Sequence, residues 1–189
     1  MANNMIEKIT NYFIVNELIK DEDRQIYAYG LHQGLLILLN ITTTILIGFM
    51  FRAVWESILF IIVYIPLRVY GGGYHAKSEV RCYLFSIVLI LAVLLGIQII
   101  SETDVIILGL TKAGGIIIWF LAPVEDRNKP LDKEERIIYK RRTSIILITE
   151  IITTIFLLVL NFKEMALVMA VSIFIVSLML ILGKMINKD

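Results

Sequence analysis

The only cysteine of this chain, Cys82, stands seven residues after His75, one of its two histidines. A thiolate is the reactive form of cysteine, and a neighbouring imidazole is a common base that generates it. The two residues belong to a segment, 68–82, that carries three consecutive glycines and lies between two long apolar runs. This combination predicts cysteine-based acyl chemistry on a substrate presented at a membrane surface.

The spacing of the pair places a condition on the backbone. A continuous helix would separate His75 from Cys82 by about 10 Å, at roughly 1.5 Å per residue, which is too far for a hydrogen bond. We therefore expect Gly71, Gly72 and Gly73 to let the segment turn back, so that His75 approaches the first turn of the helix that carries Cys82. The positive end of that helix would favour a thiolate. The alternative is a cysteine that only packs in an apolar core.

The composition of the chain indicates a membrane protein. Of its 189 residues, 58% are hydrophobic, and the mean hydropathy is +0.82, which is more apolar surface than a soluble domain of this size can bury. The apolar runs are continuous rather than alternating, which favours helices over a closed barrel of strands. The sequence therefore predicts an all-α polytopic membrane protein of a single domain, 1–189, with about six spanning helices. The predicted spans are 30–51, 53–67, 82–100, 105–122, 143–160 and 165–183.

The distribution of positive charge predicts the orientation of these spans. Fifteen of the eighteen lysines and arginines fall in the N-terminal segment, in the segments 68–81 and 123–142, and at the C-terminal end. Only Arg52 and Lys163 fall in the connections on the other side. Because cytoplasmic connections are enriched in lysine and arginine, both termini and the Cys82 segment are predicted to face the cytoplasm of a cell membrane.

Three segments outside the spans carry predictions of their own. In 1–29, the apolar residues Ile6, Ile9 and Phe13 predict an interfacial amphipathic helix over 5–20, which lies on the bilayer or contacts an amphipathic substrate leader. Residues 68–81 are expected to form a re-entrant catalytic loop. Residues 123–142 are expected to form a basic loop that contacts anionic lipid or attracts an acidic peptide tail. The substrate-binding candidates in and beside this loop are Arg127, Lys129, Lys133 and Arg136.

Two charged residues fall well inside predicted spans. A charge within the membrane is costly unless it is paired, so Lys112 and Glu150 are predicted to form a structural ion pair rather than a substrate contact. The sequence contains no metal-ligand motif and no phosphate-binding loop, so no metal and no other cofactor is expected. Gly30 and Gly34 form a small-residue pair that is compatible with a homodimer.

The motifs of the chain resemble those of a known family, the accessory gene regulator protein B peptidases of Gram-positive quorum sensing. The resemblance rests on Arg68, on Gly73-Tyr74-His75-Ala76 and on Cys82 at the family spacing. It extends to Leu121-Ala-Pro123 ahead of Lys129-Pro130-Leu131, and the length and the span pattern are similar across most of the chain.

The resemblance implies an activity and a substrate. It implies a membrane cysteine endopeptidase that cleaves the C-terminal tail from a short precursor peptide of the accessory gene regulator protein D type. It also implies that the retained part is cyclised to a thiolactone or lactone autoinducer. By carry-over, Cys82 is the nucleophile, His75 is its base, and Arg68 and Gly73 occupy functionally sensitive positions. A basic triplet found in some members corresponds here to residues 127–129, where Asn128 interrupts the run.

Other roles and other functions are open at this point. The backbone amides of residues 71–74 and the Arg68 guanidinium are candidates for stabilising the oxyanion. The main rival function is a small membrane peptide exporter without covalent chemistry, in which Lys112 and Glu150 mark a pathway and Cys82 only packs. A second rival is a non-catalytic membrane scaffold, for which His75 and Cys82 are both dispensable.

Overall fold

The residues that the structure describes fold almost entirely into helices. A computed structural model describes residues 2–74, 78–125 and 131–186. These residues form seven α-helices, with a short 3-10 helix, Asp21–Asp23, ahead of the second. The α-helices are α1 (Ala2–Val15), α2 (Arg24–Met50), α3 (Val54–Gly71), α4 (Glu79–Ile99), α5 (Asp104–Leu121), α6 (Lys133–Val159) and α7 (Lys163–Ile186).

Six of these helices, α2 to α7, are long and apolar enough to cross a membrane. The shortest, α3 and α5, have 18 residues each, close to the roughly 20 residues that a bilayer core requires. The prediction of an all-α, polytopic membrane protein with six spans is confirmed by this pattern.

The chain divides into two compact units, Met1–Thr43 and Thr44–Asp189. In the first unit, α1 ends at Val15, five residues before the end expected from the apolar pattern. Glu17 adopts a left-handed backbone (φ 55°), which does not continue a helix. The Arg24 guanidinium donates a hydrogen bond of 2.7 Å to the side-chain oxygen of Asn11, which ties the start of α2 to α1.

The second unit is organised around α7. Thirteen residues of α7 are buried, among them every residue from Ala166 to Ile173, as expected for a helix that is apolar on all sides and surrounded by others. Its most extensive contact is with α5, and it also packs against α3, α6 and α4. Gly114 on α5 permits this close packing, since a Cβ there would lie 2.9 Å from the Cα of Phe174.

Two helix boundaries near the Cys82 segment differ from those expected. Helix α3 continues through Pro66 and ends at Gly71 rather than at 67, because a proline removes one backbone donor without preventing the next turn in a packed membrane helix. Helix α6 begins at Lys133, ten residues before the expected span. An Asp132 and Glu135 capping box starts it: the Glu135 N–H donates to Asp132 at 2.7 Å and the Asp132 N–H to Glu135 at 3.2 Å.

Candidate active site

Cys82 is the fourth residue of α4 and lies in its first turn. The Cys82 N–H donates the first helical hydrogen bond, of 2.9 Å, to the Ser78 carbonyl, and the Ser78 hydroxyl oxygen accepts from the Arg81 N–H at 3.4 Å. Cys82 is a free cysteine, and the residue is half-buried. It therefore lies at the amino-terminal end of α4, where the helix dipole is positive.

Several residues predicted for the site lie outside the described residues. They are His75, Arg127 and Lys129, which fall within 75–77 and 126–130. The structure therefore gives no distance from the His75 imidazole to the Cys82 thiol. The described residues on either side of 75–77 show how closely the two parts of the chain approach each other.

Tyr74, the residue before His75, is held beside the start of α4. The centroid of its ring is 5.5 Å from that of Phe85, in an edge-on arrangement. Phe85 stands three residues after Cys82, so the two residues share one face of the helix. The chain that leaves α3 at Gly71 has thus turned back toward the first turns of α4 by residue 74.

Two glycines with positive φ angles make this turn. Gly72 has φ 75° and Gly73 has φ 120°, angles that L side chains rarely adopt. The surroundings are equally restrictive, because a Cβ would lie 2.0 Å from the Val124 carbonyl oxygen at position 72 and 2.9 Å from the Met179 carbonyl oxygen at position 73. Gly72 and Gly73 therefore allow the segment to turn back, and the turn that they form is tightly packed.

Arg68, one turn before the glycines, holds the carbonyl side of the turn. Its guanidinium donates hydrogen bonds to the Gly72 and Tyr74 carbonyl oxygens. It also interacts with the Tyr64 hydroxyl. Arg68 therefore supports the turn.

The backbone amides expected to stabilise an oxyanion are largely engaged. The Gly72 N–H donates to the Arg68 carbonyl at 3.1 Å and the Tyr74 N–H donates to the Met179 carbonyl at 3.1 Å. The Gly71 amide lies inside α3. In this state of the protein, these three amides hold the turn together rather than forming an oxyanion hole.

The connection between α5 and α6 supports the same turn from the other side. The Val124 N–H donates to the Gly71 carbonyl at 2.9 Å, and Gly72 and Val124 form an isolated parallel bridge. On α7, Gly183 leaves room for the turn, since a Cβ there would lie 2.5 Å from the Gly73 carbonyl carbon. Parts of α3, α7 and the 122–124 segment therefore meet around residues 71–74.

The basic residues in the first three turns of α6 differ in their contacts. The Arg142 guanidinium donates to the Tyr70 hydroxyl at 3.0 Å, and a guanidinium nitrogen of Arg136 lies 3.6 Å from a Glu125 carboxylate oxygen. Lys133 and Arg141 are exposed. Of the four substrate-binding candidates, Lys133 and Arg136 are thus placed on the exposed first turn of α6.

Lys112 and Glu150 are not brought together as an ion pair within the part of the chain that the structure describes. Glu150 is buried, with 7% of its surface exposed, and its Oε2 atom has no hydrogen-bond partner among the described residues. Lys112 is exposed and lines an apolar groove of about 390 Å³ between α5 and α6. The side chains of Lys112 on α5 and Glu150 on α6 therefore lie in different surroundings.

Among residues 2–74, 78–125 and 131–186, no group of three or more histidine, cysteine, aspartate or glutamate residues is placed to hold a metal ion. The absence of a metal or other cofactor stays a prediction.

Sequence reasoning missed four residues that contribute to this region. Tyr64 had a readable signal, since it stands four residues before Arg68 and so on the same face of a helix. No sequence signal identifies Met179 and Gly183, because they lie in a strongly apolar helix that is distant in sequence from the glycine turn. Lys140 was counted only as one cation of a basic run.

Comparison with known proteins identifies the family. The model of the accessory gene regulator B family matches residues 6–180. A protein of Clostridium perfringens (strain SM101 / Type A) described as AgrB-like is 27% identical over 141 residues, which are 69% of this chain and 65% of that protein. A second, described as AgrB-like protein 2 of Clostridium perfringens (strain 13 / Type A), is 29% identical over 145 residues, 70% of this chain and 67% of that protein.

The chain thus spans just under two thirds of the first relative and about two thirds of the second. No solved structure matches it. The family match covers the glycine turn, Cys82, the apolar helices α2 to α6 and most of α7. The chain therefore belongs to the accessory gene regulator B family.

Proposed function

We propose that this chain is a membrane cysteine endopeptidase of quorum sensing. Its substrate is a short precursor peptide of the accessory gene regulator D type, from which it removes the C-terminal tail and cyclises the rest. Cys82 is the nucleophile and His75 is its base. The observation that carries the proposal is the contact of the Tyr74 and Phe85 rings, 5.5 Å between centroids, which holds the residue before His75 against the helix face that carries Cys82.

The first chemical step is attack on the scissile carbonyl of the precursor. His75 takes the proton of the Cys82 thiol, and the thiolate sulfur forms a bond to the carbonyl carbon. As the carbon–nitrogen bond breaks, His75 returns the proton to the departing amine. The C-terminal fragment leaves, and the N-terminal part of the peptide remains as a thioester on Cys82.

The second step transfers the acyl group within the peptide. A cysteine thiol, or a serine hydroxyl, inside the retained peptide attacks the thioester and releases the Cys82 thiol as the ring closes. Exchange between two thioesters is nearly balanced in free energy, whereas hydrolysis is strongly favourable. The site must therefore hold the internal nucleophile at high effective concentration and limit access of water.

The oxyanion of both steps needs a hydrogen-bond donor near Cys82. Arg68 and the amides of Gly72 and Tyr74 are used to hold the glycine turn. The Tyr64 hydroxyl interacts with the Arg68 guanidinium, and we propose Tyr64 as a side-chain donor of the oxyanion hole.

The substrate reaches this site from the cytoplasm, where the positive-inside rule places the termini, the glycine turn and the start of α6. Lys133 and Arg136, on the exposed first turn of α6, attract an acidic peptide tail or anionic lipid headgroups. Attraction of the peptide would be weakened by salt, because exposed charges are screened.

The test is mass spectrometry of the wild-type protein and of Cys82→Ala and His75→Ala in liposomes, each incubated with a synthetic precursor peptide of the D type. We expect a hydroxylamine-sensitive peptide adduct on the wild-type protein and release of a C-terminal fragment. Cys82→Ala should abolish both products, and His75→Ala should slow cleavage by roughly 10²–10⁴-fold, as for loss of a general base.

The contrary outcome is an intact precursor with every protein, after precursors of several sequences have been supplied. That result would favour the exporter, in which Cys82 is dispensable and the intramembrane residues Lys112 and Glu150 mark a pathway. Transport of the peptide into liposomes by Cys82→Ala would then be the deciding measurement.

A further inference from the structure

Lys140, in the second turn of α6, makes contacts that differ from those of its basic neighbours. Its ammonium group donates hydrogen bonds to the Trp119 carbonyl oxygen and, at 2.9 Å, to the Ala122 carbonyl oxygen. It also lies 5.7 Å from the centre of the Trp119 ring, within the range of a cation–π interaction. These contacts direct its charge to the end of α5 rather than to solvent.

The need for these hydrogen bonds follows from the sequence of α5. In a continuing helix, the Trp119 carbonyl would accept from the N–H four residues later, which here is Pro123, and proline has no N–H. An unpaired carbonyl at the end of a packed helix costs free energy. Lys140 supplies the missing donor and at the same time fixes the Ala122 carbonyl, the point at which the chain leaves α5.

The segment fixed by Lys140 is the one that holds the glycine turn. Val124, two residues after Ala122, donates to the Gly71 carbonyl at 2.9 Å and forms the bridge with Gly72. The turn then delivers Tyr74 to the Met179 carbonyl and to the Phe85 ring. A continuous series of hydrogen bonds and packing contacts thus runs from Lys140 to the residue that precedes His75.

From this geometry we infer that Lys140 is a positioning residue for the proposed catalytic pair. It acts through the 122–124 segment and the glycine turn to fix where the chain before His75 meets the first turns of α4. The inference rests on the proposed function, since it concerns the same site. A small displacement of one reacting group is enough to reduce turnover strongly, which is why a residue outside the pair can control the rate.

Attraction of an acidic peptide is a different role for a lysine in a basic run, and it predicts different behaviour. An attracting cation acts on substrate binding, weakens with salt and is replaceable by its neighbours. Arg141, next to Lys140, is exposed and offers a matched control, because Arg141→Met removes the same charge from the same turn of α6.

The experiment compares Lys140→Met, Lys140→Arg and Arg141→Met with the wild-type protein in liposomes, using the synthetic precursor peptide. We expect Lys140→Met to lower the kcat of cleavage at least about tenfold, as expected for a misplaced reacting group, with little change in KM. Lys140→Arg, which keeps donors for both carbonyls, should restore most of the activity. Arg141→Met should leave kcat unchanged.

Amide hydrogen exchange of the same variants without peptide tests the inference independently of catalysis. Lys140→Met should raise exchange at the Gly72, Tyr74 and Val124 amides, and Arg141→Met should not. If the wild-type protein cleaves no precursor, the proposed function fails while this exchange result still decides the positioning role. If Lys140→Met fails to accumulate, Lys140→Gln, which keeps one uncharged donor, should show intermediate kcat and exchange.

The inference would be overturned by either of two results. One is equal loss for Lys140→Met and Arg141→Met, expressed in KM and suppressed by salt, which would assign both residues to peptide attraction. The other is unchanged exchange at the three amides in a folded Lys140→Met protein.

Discussion

At the scale of single residues, the glycine turn shows how sequence and tertiary packing constrain the same backbone. The sequence makes Gly71, Gly72 and Gly73 candidates for a bend, and the structure assigns positive φ angles to Gly72 and Gly73 only. The reason for glycine at 72 is twofold, since a side chain there would be strained and would also meet the Val124 carbonyl oxygen at 2.0 Å. No local pattern reveals the second reason, because Val124 is 52 residues away.

Substitution at this turn is expected to be costly. Gly72→Ala should destabilise the protein by about 1–3 kcal/mol, the usual cost of an unfavourable backbone conformation, and should reduce precursor cleavage because the 124 segment and the turn must separate. The measurement is thermal unfolding in detergent together with the cleavage rate in liposomes.

Gly109→Ala on α5 is the control for this substitution, because a Cβ at position 109 would meet nothing within 4 Å and alanine is a better helix former than glycine. We expect wild-type cleavage and equal or higher stability for this variant. Wild-type stability and activity in Gly72→Ala would mean that the turn is not packed as described.

At the scale of secondary structure elements, the apolar runs predict the six spans but not where the helices end. The basic residues of 133–142 read as a loop because they interrupt the apolar pattern, yet the Asp132 and Glu135 capping box starts α6 at Lys133. The capping signature is present in the sequence, but the segment was assigned to a loop because it is highly charged. This extension of α6 is what carries Lys140 to the end of α5.

The capping box is expected to be necessary for the first turns of α6. Asp132→Ala should lower stability by about 1 kcal/mol, the typical cost of losing an N-cap side chain, and should raise amide exchange over 133–139 more than in α7. Glu134→Ala is the matched control, since it removes one carboxylate from the same turn without belonging to the capping box. Equal effects of the two substitutions would attribute the stabilisation to charge near the helix end rather than to capping.

At the scale of the whole molecule, the composition predicts the fold class but not how the helices pack against one another. The central position of α7 in its unit was not predicted from the sequence, because α4 is nearly as apolar as α7, yet 67% of the α7 span is buried and only 22% of the α4 span. The candidate site has the same limit. The position of Cys82 in the first turn of α4 was predictable, whereas the contacts of Tyr74 with Met179 and of Gly73 with Gly183 join residues more than 100 positions apart.

The orientation of the molecule is the last prediction, and the chain is well suited to its measurement because Cys82 is its only thiol. In a Cys82→Ala background, we expect an impermeant maleimide to label Ser101→Cys from outside intact cells and Lys184→Cys only in inside-out vesicles, since cytoplasmic connections carry the lysines and arginines. Both positions are exposed.

The label at 184 also reports on the site, because Gly183 packs directly against Gly73 and Tyr74. Labelling of Lys184→Cys from outside would therefore place the glycine turn, and with it Cys82, on the outer face. The precursor would then have to cross the membrane before it is cleaved, contrary to the cytoplasmic access of the proposed function.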